Sequence, residues 1–343
     1  MVSKDFGTLS APTGSGKTVM ALFIIARRNQ PTLIVVHTKD LAFQWMERIE
    51  QFLGIEKDAV GYIGGGKIKM GKKITVALVQ TLYKYAEDVS KEIGFLVVDE
   101  CHRCPSRTFT EAVTEFDSKY MLGLSATPYR RDNLSRLIFW HLGDVHHKID
   151  QDRLVQSGDV LAAEVIVRET EFKPYYDPVN EYSKMMSELT QDDKRNHLIA
   201  SDIAAEVEHN QGICLVLSDR KKHCETLQSM LRFRYKISAG LLIGDLNASE
   251  RQTVLERLDQ GDVRVLIATG QLIGEGFDRS DLSPLFLVTP IKFSGRVLQY
   301  LGRVLRPAPG KEKARVYDYV DVHVDVLKAM ARARQKVYNP KFP

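Results

Sequence analysis

The sequence predicts an α/β fold of two successive lobes, each a mostly parallel β-sheet flanked by helices. Three observations carry that expectation. Short apolar runs alternate with amphipathic segments along nearly the whole chain, as when parallel strands are joined through helices. The runs fall into two series, parted by the polar, proline- and tyrosine-bearing stretch "EFKPYYDPVNEYSK". A length of 343 residues accommodates about two domains of roughly 100–200 residues. The expected division is a first lobe over 1–150, a connector over 151–190 and a second lobe over 191–343.

In the first lobe the strand candidates are "GTLSAP", "TLIVVH", "TVALVQ", "FLVVDE" and "MLGLSAT", with helical patterns between them at Lys17–Arg28 and Asp40–Phe52. A strand over Ala162–Thr170 precedes the tyrosine-bearing connector and a helix follows it. The second series runs "ICLVLS", "VRVLIAT", "PLFLVTP" and "ARVYDYV", with helices near Lys221–Arg234, Ser249–Gln260 and Gly295–Leu301. "EYSKMMSEL" has helical spacing and reads as packing.

Composition excludes several classes. A hydrophobic fraction of 44% with 27% charged residues is that of an ordinary globular protein. No apolar run approaches the ~18 residues that cross a bilayer, and no membrane association is expected. Four cysteines are too few for a disulfide framework, which points to a reducing, cytoplasmic setting. The net charge of +4 is mild, so affinity for nucleic acid must come from local placement and backbone donors. The lysine-rich "GGGKIKMGKK", Gly64–Lys73, reads on charge alone as a solvated hairpin loop.

Two short stretches carry chemistry. "APTGSGKT", Ala11–Thr18, follows a strand and opens a helix; it fits G-x-x-x-x-G-K-[ST] except for Ala11 in the first glycine's place. Small residues there let the backbone N–H groups of Thr13, Gly14, Ser15 and Gly16 curl around a phosphate, and the helix N-terminus adds a favourable dipole. Lys17 is expected on the β- and γ-phosphates, with the Thr18 hydroxyl placed for Mg²⁺. "FLVVDE" is an apolar strand ending in two carboxylates, which presents Asp99 to Mg²⁺ and sets Glu100 to orient or deprotonate an attacking water. The next residues, "CHRC", could instead be half of a zinc site. Zinc would need two more ligands, and Cys214 and Cys224 lie in the other lobe without C-x₂-C spacing. Cys101 therefore reads as a buried small residue and His102 as a polar link toward the other lobe.

With these motifs in order, the chain resembles a superfamily 2 helicase or translocase core with two tandem RecA-like lobes. "APTGSGKT" is similar to motif I, "HTKDLAFQW" to motif Ia, with His37 where proline is common, and "VQT" to motif Ib. "VVDECH" is similar to motif II in its D-E-x-H form, and "GLSATPYR" to motif III. "LVLSDR" is similar to motif IV, "LIGDLNASERQ" to the segment after it, "IATGQLIGEGFD" to motif V and "QYLGRVLRP" to motif VI. D-E-C-H, "SATPYRRD" and "GEGFD" together look most like the XPB/UvsW-like branch, which includes motors of restriction and mobile-element systems.

The resemblance implies roles for particular residues. Gln299, Arg303 and Arg306 would line the cleft between the lobes, the arginines neutralising charge on the transferring phosphoryl group. Asp278 would contact the ribose, with Gly276 allowing close approach. Thr38, Gln80 and Thr81 in the first lobe, with Gly244 and Thr269 in the second, would touch a nucleic-acid backbone, although Thr38 or Thr81 alone could simply cap a helix. The implied cofactors are ATP and Mg²⁺. The implied partner is single-stranded or branched DNA, with RNA as the alternative, and accessory domains or a nuclease are expected outside this chain. Because the phosphate loop begins at Ala11, the upstream segment that reads adenine in this superfamily is expected to lie outside this sequence, and "MVSKDFG" reads as a truncated start.

Overall fold

The structure, a computed structural model, describes residues 1–12, 14–103, 107–126, 135–270, 279–291, 300–309, 311 and 313–338. It divides into two compact units, Met1–Gln156 and Ser157–Pro343. No described helix is long and apolar enough to cross a membrane.

The first unit holds β1 (Phe6–Ser10), α1 (Lys17–Arg28), β2 (Thr32–Val36), α2 (Lys39–Leu53), β3 (Gly61–Gly64), β4 (Lys67–Lys69), β5 (Ile74–Leu78), α3 (Val79–Leu82), α4 (Ala86–Ser90), β6 (Phe95–Val98), α5 (Arg107–Val113), β7 (Tyr120–Ser125), α6 (Ser135–Leu142), β8 (Val145–Lys148) and α7 (Gln151–Gln156). Its described strands form one sheet in the order β4-β3-β5-β2-β6-β7-β1-β8. Every pairing is parallel except the β3–β4 hairpin. β2, β5 and β6 are buried along their whole length, which is why they read as unbroken apolar runs and do not alternate. α1 buries Ala21, Leu22, Ile24 and Ile25, and α2 buries Ala42, Trp45, Met46 and Ile49, each a single stripe at helical spacing. Both helices stop at a left-handed residue, Asn29 and Gly54, whose N–H reaches back to Ile25 O and Glu50 O.

The second unit holds β9 (Ala163–Thr170), α8 (Tyr182–Gln191), α9 (Asp193–His209), β10 (Ile213–Ser218), α10 (Lys221–Tyr235), β11 (Ala239–Leu242), α11 (Ala248–Asp259), β12 (Val265–Thr269), β13 (Leu282–Leu287), β14 (Ala314–Asp321) and a helix over Asp325–Tyr338. Its sheet order is β11-β12-β10-β13-β14-β9, with all pairings parallel. The stretch 151–190, expected as a connector, thus supplies α7 to the first unit and β9 and α8 to the second. β9 pairs with β14 over its full eight residues and forms one edge of the second sheet. Buried polar contacts fix the strand ends: Asp321 accepts from Thr170 and from Arg195, and Arg195 also donates to Val288 O at 2.8 Å.

Candidate functional site

The strand order β6-β7-β1 explains how segments far apart in sequence meet. Parallel strands end on the same edge, so the phosphate loop after β1, the carboxylates after β6 and Ser125 at the end of β7 share one rim. Ser10 is in register with Ser125, and Ala11 N donates to Ser125 O at 3.0 Å, pinning the start of the loop to β7. Asp99 N donates to Val35 O at 3.0 Å, which carries the β2–β6 ladder one residue further and fixes where Asp99 leaves the sheet.

The loop needs its glycines. Gly14 and Gly16 have φ of 89° and 80°, a left-handed backbone that only glycine adopts without strain. Gly16 caps α1 with no side-chain bond to the helix, leaving that end to a ligand. Ser15 Oγ donates to Pro12 O at 2.7 Å. Lys17 Nζ donates to Ala11 O at 3.0 Å and to Pro12 O at 3.5 Å, so its ammonium lies over the loop it follows. Thr18 is the second residue of α1 and partly exposed. Thr13 lies outside the described residues.

The two carboxylates are turned to different partners. Asp99 Oδ2 accepts from the Trp45 indole at 2.8 Å, and Oδ1 accepts from Glu100 N at 2.9 Å. Glu100 has φ of 49°, an unusual conformation for a residue with a side chain, and its Oε2 lies 3.2 Å from His102 Nδ1. Burial and the neighbouring Glu100 charge raise the Asp99 carboxyl above its usual range, against the pull of Trp45, Lys17 and the Glu100 amide. Burial pushes Glu100 up as well, but the His102 bond, Lys17 and His37 together outweigh it and hold Glu100 at about 2. Mg²⁺ fits this setting. Thr18 and Asp99 are hard oxygen donors, and a cation would favour the ionised form of a carboxylate that burial alone disfavours.

His102, expected as a link toward the other lobe, engages its own unit: Nδ1 lies 3.1 Å from Ser125 Oγ as well as beside Glu100. Cys101 is fully buried in an apolar cluster with Val98, Met121 and Leu142. A Cβ on Gly123 would stand 3.1 Å from Cys101 Sγ, so glycine in β7 makes room for that thiol. Cys214 and Cys224 are buried in the second unit, where burial raises both thiols to about 12. No group of three or more His, Cys, Asp or Glu side chains suited to a metal occurs among the described residues, and Cys104 is not one of them.

The expected nucleic-acid contacts also sit at strand ends. Thr38 follows β2 and caps α2, its Oγ1 accepting from Leu41 N at 3.3 Å. Gln80 and Thr81 follow the neighbouring β5, and Gln80 Nε2 donates to His37 O at 2.8 Å. In the second unit Thr269 ends β12, and exposed Gly244 follows the adjacent β11. Arg303 lies in helical residues 300–304 and is buried; Arg306 falls beyond them, partly exposed, with its N–H on Arg303 O at 3.4 Å. Gly276, Asp278 and Gln299 lie outside the described residues, as do 127–130 of "GLSATPYR".

Sequence reasoning missed Trp45, Ser125 and His37 as members of the rim. The available signal was Trp45 on the apolar stripe of α2, since a buried indole N–H needs an acceptor.

Comparison with known proteins matches residues 3–130 to the family described as "Type III restriction enzyme, res subunit" and 193–308 to "Helicase conserved C-terminal domain". The chain belongs to the superfamily 2 helicases. A protein of Acanthamoeba polyphaga mimivirus, named as a candidate ATP-dependent RNA helicase, is 28% identical over 97% of this chain and 63% of its own length. The DNA 3'-5' translocase XPB2 of Sulfurisphaera tokodaii is 29% identical over 88% of this chain and 74% of its own. The chain thus spans less than two thirds of the first of these relatives. Among solved structures, S. cerevisiae Dbp5 bound to RNA and ADP BeF3 aligns with a TM-score of 0.68 at 16% identity, covering 97% of this chain and 83% of that one. That likeness shows the fold, tandem RecA-like α/β units.

Proposed function

We propose that this chain is the ATP-hydrolysing motor core of a nucleic-acid helicase or translocase acting on DNA, with ATP and Mg²⁺ as cofactors. The observation that carries the reading is the convergence of a helix-opening phosphate loop, a carboxylate pair and Ser125 on one rim of the first unit.

In this reading the loop N–H groups of Thr13 through Gly16 receive phosphate oxygens, and Lys17 exchanges the Ala11 and Pro12 carbonyls for the β- and γ-phosphates. Thr18 and Asp99 hold Mg²⁺, which when bound neutralises charge on those oxygens. Glu100, ionised and kept in place by His102, orients the attacking water. Motif order assigns Gln299, Arg303 and Arg306 to charge developing on the transferring group, and Gly276 with Asp278 to the sugar. Thr38, Gln80, Thr81, Gly244 and Thr269 hold the nucleic-acid backbone, so sequence preference is slight and affinity falls with salt.

DNA is favoured by the relative named a DNA 3'-5' translocase; the RNA reading is favoured by the mimivirus relative. The restriction family model supports a second reading, the motor of a restriction or conflict system whose nuclease and further domains lie outside this chain. The deciding experiment is ATP turnover across single-stranded, duplex and branched DNA and RNA. Equal turnover with and without every nucleic acid defeats the motor reading, and stimulation by RNA alone replaces DNA with RNA.

A further inference from the structure

Trp45 is placed as a core residue: it is 2% exposed and shares the buried stripe of α2 with Ala42, Met46 and Ile49. Its polar atom, however, leaves the core. The indole N–H reaches across to the end of β6 and donates to Asp99 Oδ2 at 2.8 Å, while Glu100 N donates to Oδ1 at 2.9 Å. A carboxylate at a strand end can rotate about two side-chain torsions. Two N–H donors, one on each oxygen and from different elements, stop that rotation, and each oxygen keeps capacity for a further partner. One donor is backbone and cannot be lost by substitution. The other is a side chain delivered by a rigid fifteen-residue helix.

We infer that Trp45 is a positioning residue whose indole N–H fixes the Asp99 carboxylate in the orientation that takes Mg²⁺. The inference rests on the proposed ATPase reading and adds to it a group outside the four positions Lys17, Thr18, Asp99 and Glu100. The competing account is that a buried indole merely needed an acceptor and found the nearest one. The two differ in what the hydrogen bond does for the metal. Partners that orient a ligating carboxylate carry on the order of 10–100-fold in metal affinity, whereas a bond that only satisfies the indole carries none.

The test uses the full chain and two readouts. Trp45→Phe keeps a large apolar ring and removes the donor. ADP affinity is measured by calorimetry without metal and across a Mg²⁺ titration, for wild type and variant. Metal-free ADP affinity is the internal reference: damage to the fold lowers both affinities, and loss of positioning lowers the metal-dependent part. The expected result is a Mg²⁺ midpoint raised on the order of 10-fold or more. An unchanged midpoint overturns the proposal.

The second readout needs no change at position 45. The sequence has two tryptophans, and Trp140 is 75% exposed, so Trp140→Phe leaves Trp45 the sole indole. Its emission should then shift as Mg²⁺·ADP binds, with the calorimetric midpoint, and the shift should vanish with Asp99→Asn. Emission indifferent to bound Mg²⁺·ADP overturns the proposal even where Trp45→Phe fails to fold. A wild-type chain that takes up no Mg²⁺·ADP instead brings down the ATPase reading, and this proposal with it.

Discussion

Acidification should weaken the second unit through a single imidazole, His223. Its ring is fully buried in α10, with Nδ1 3.0 Å from Ser218 Oγ and Nε2 2.9 Å from Asn196 Oδ1. Burial first, and the nearby Arg195 charge second, lower its pKa from 6.5 to about 3. The unfolded imidazole takes up a proton near 6.5, while the folded ring stays neutral until about 3. Between those values the unfolded chain binds more protons, so this contribution to stability is full above 6.5 and is lost progressively as pH falls toward 3. At about pH 4 the lost part is ~2.5 pKa units, or about 3 kcal/mol. His223→Gln can still bond to Asn196 and Ser218 but does not titrate, so it should cost about 1–2 kcal/mol at neutral pH and be the more stable of the two proteins by about 1–2 kcal/mol near pH 4. Urea unfolding followed by far-UV circular dichroism, at steps from pH 7 to 4, gives the difference between the two proteins. Subtracting one curve from the other cancels every carboxylate they share. A difference that stays constant across that range refutes the neutral buried imidazole.

Three further outcomes follow from the site. Glu100→Gln should leave Mg²⁺·ATP binding nearly intact and lower kcat by on the order of 10²–10⁴-fold; near-wild-type turnover in a steady-state assay would remove Glu100 from the water's side. Gly123→Val should lower the urea midpoint by an amount equivalent to about 1–3 kcal/mol, because its Cβ would stand 3.0 Å from Thr8 Oγ1, 3.1 Å from Cys101 Sγ and 3.2 Å from Leu142 Cδ1. An unmoved midpoint would mean that the thiol is not confined there. Arg303→Ala and Arg306→Ala should each reduce nucleic-acid-stimulated kcat by on the order of 10²-fold with a smaller change in nucleotide Kd, and full stimulated turnover in both would end their assignment to the transferring phosphoryl group.

Much of the scaffold was legible because its signals are local. β2, β5, β6 and β10 are buried throughout and therefore spell continuous apolar runs. The start and stop of α1 coincide with Gly16 and Asn29, residues that tolerate a left-handed backbone. The lysine-rich stretch read as a hairpin loop is one in part: β3 and β4 pair antiparallel around Gly65 and Gly66, both at positive φ. Elements whose burial is partial or brief escaped. β8, "VHHK", is a mostly exposed edge strand, and β11, "AGLL", has four residues. The phosphate loop and carboxylate pair were legible as spacings. The Trp45–Asp99 and His102–Ser125 contacts were not, because each joins separate elements, and only the packing of α2 and the order β6-β7 bring them together.

The adjacency of Asp99 and Glu100 raises a problem that the backbone answers. Two neighbouring carboxylates at the end of a buried strand repel, and each makes the other costlier to ionise. Had the strand simply continued, their side chains would point to opposite faces of the sheet, and one would be lost from the rim. The chain instead leaves the extended conformation at Glu100, where φ is 49°. A non-glycine residue held there costs on the order of 1–3 kcal/mol and persists only where its surroundings over-determine it. Those surroundings are present: the Glu100 amide is bonded to Asp99 Oδ1, and its carboxylate faces His102, which also lies within hydrogen-bond distance of Ser125. The strain thus sends one carboxylate to α2 and the other toward β7 while both stay on the rim. Exchanging the two residues would put the longer side chain against Trp45 and the shorter one out of reach of His102, so the order Asp-Glu follows from the two distances each must span.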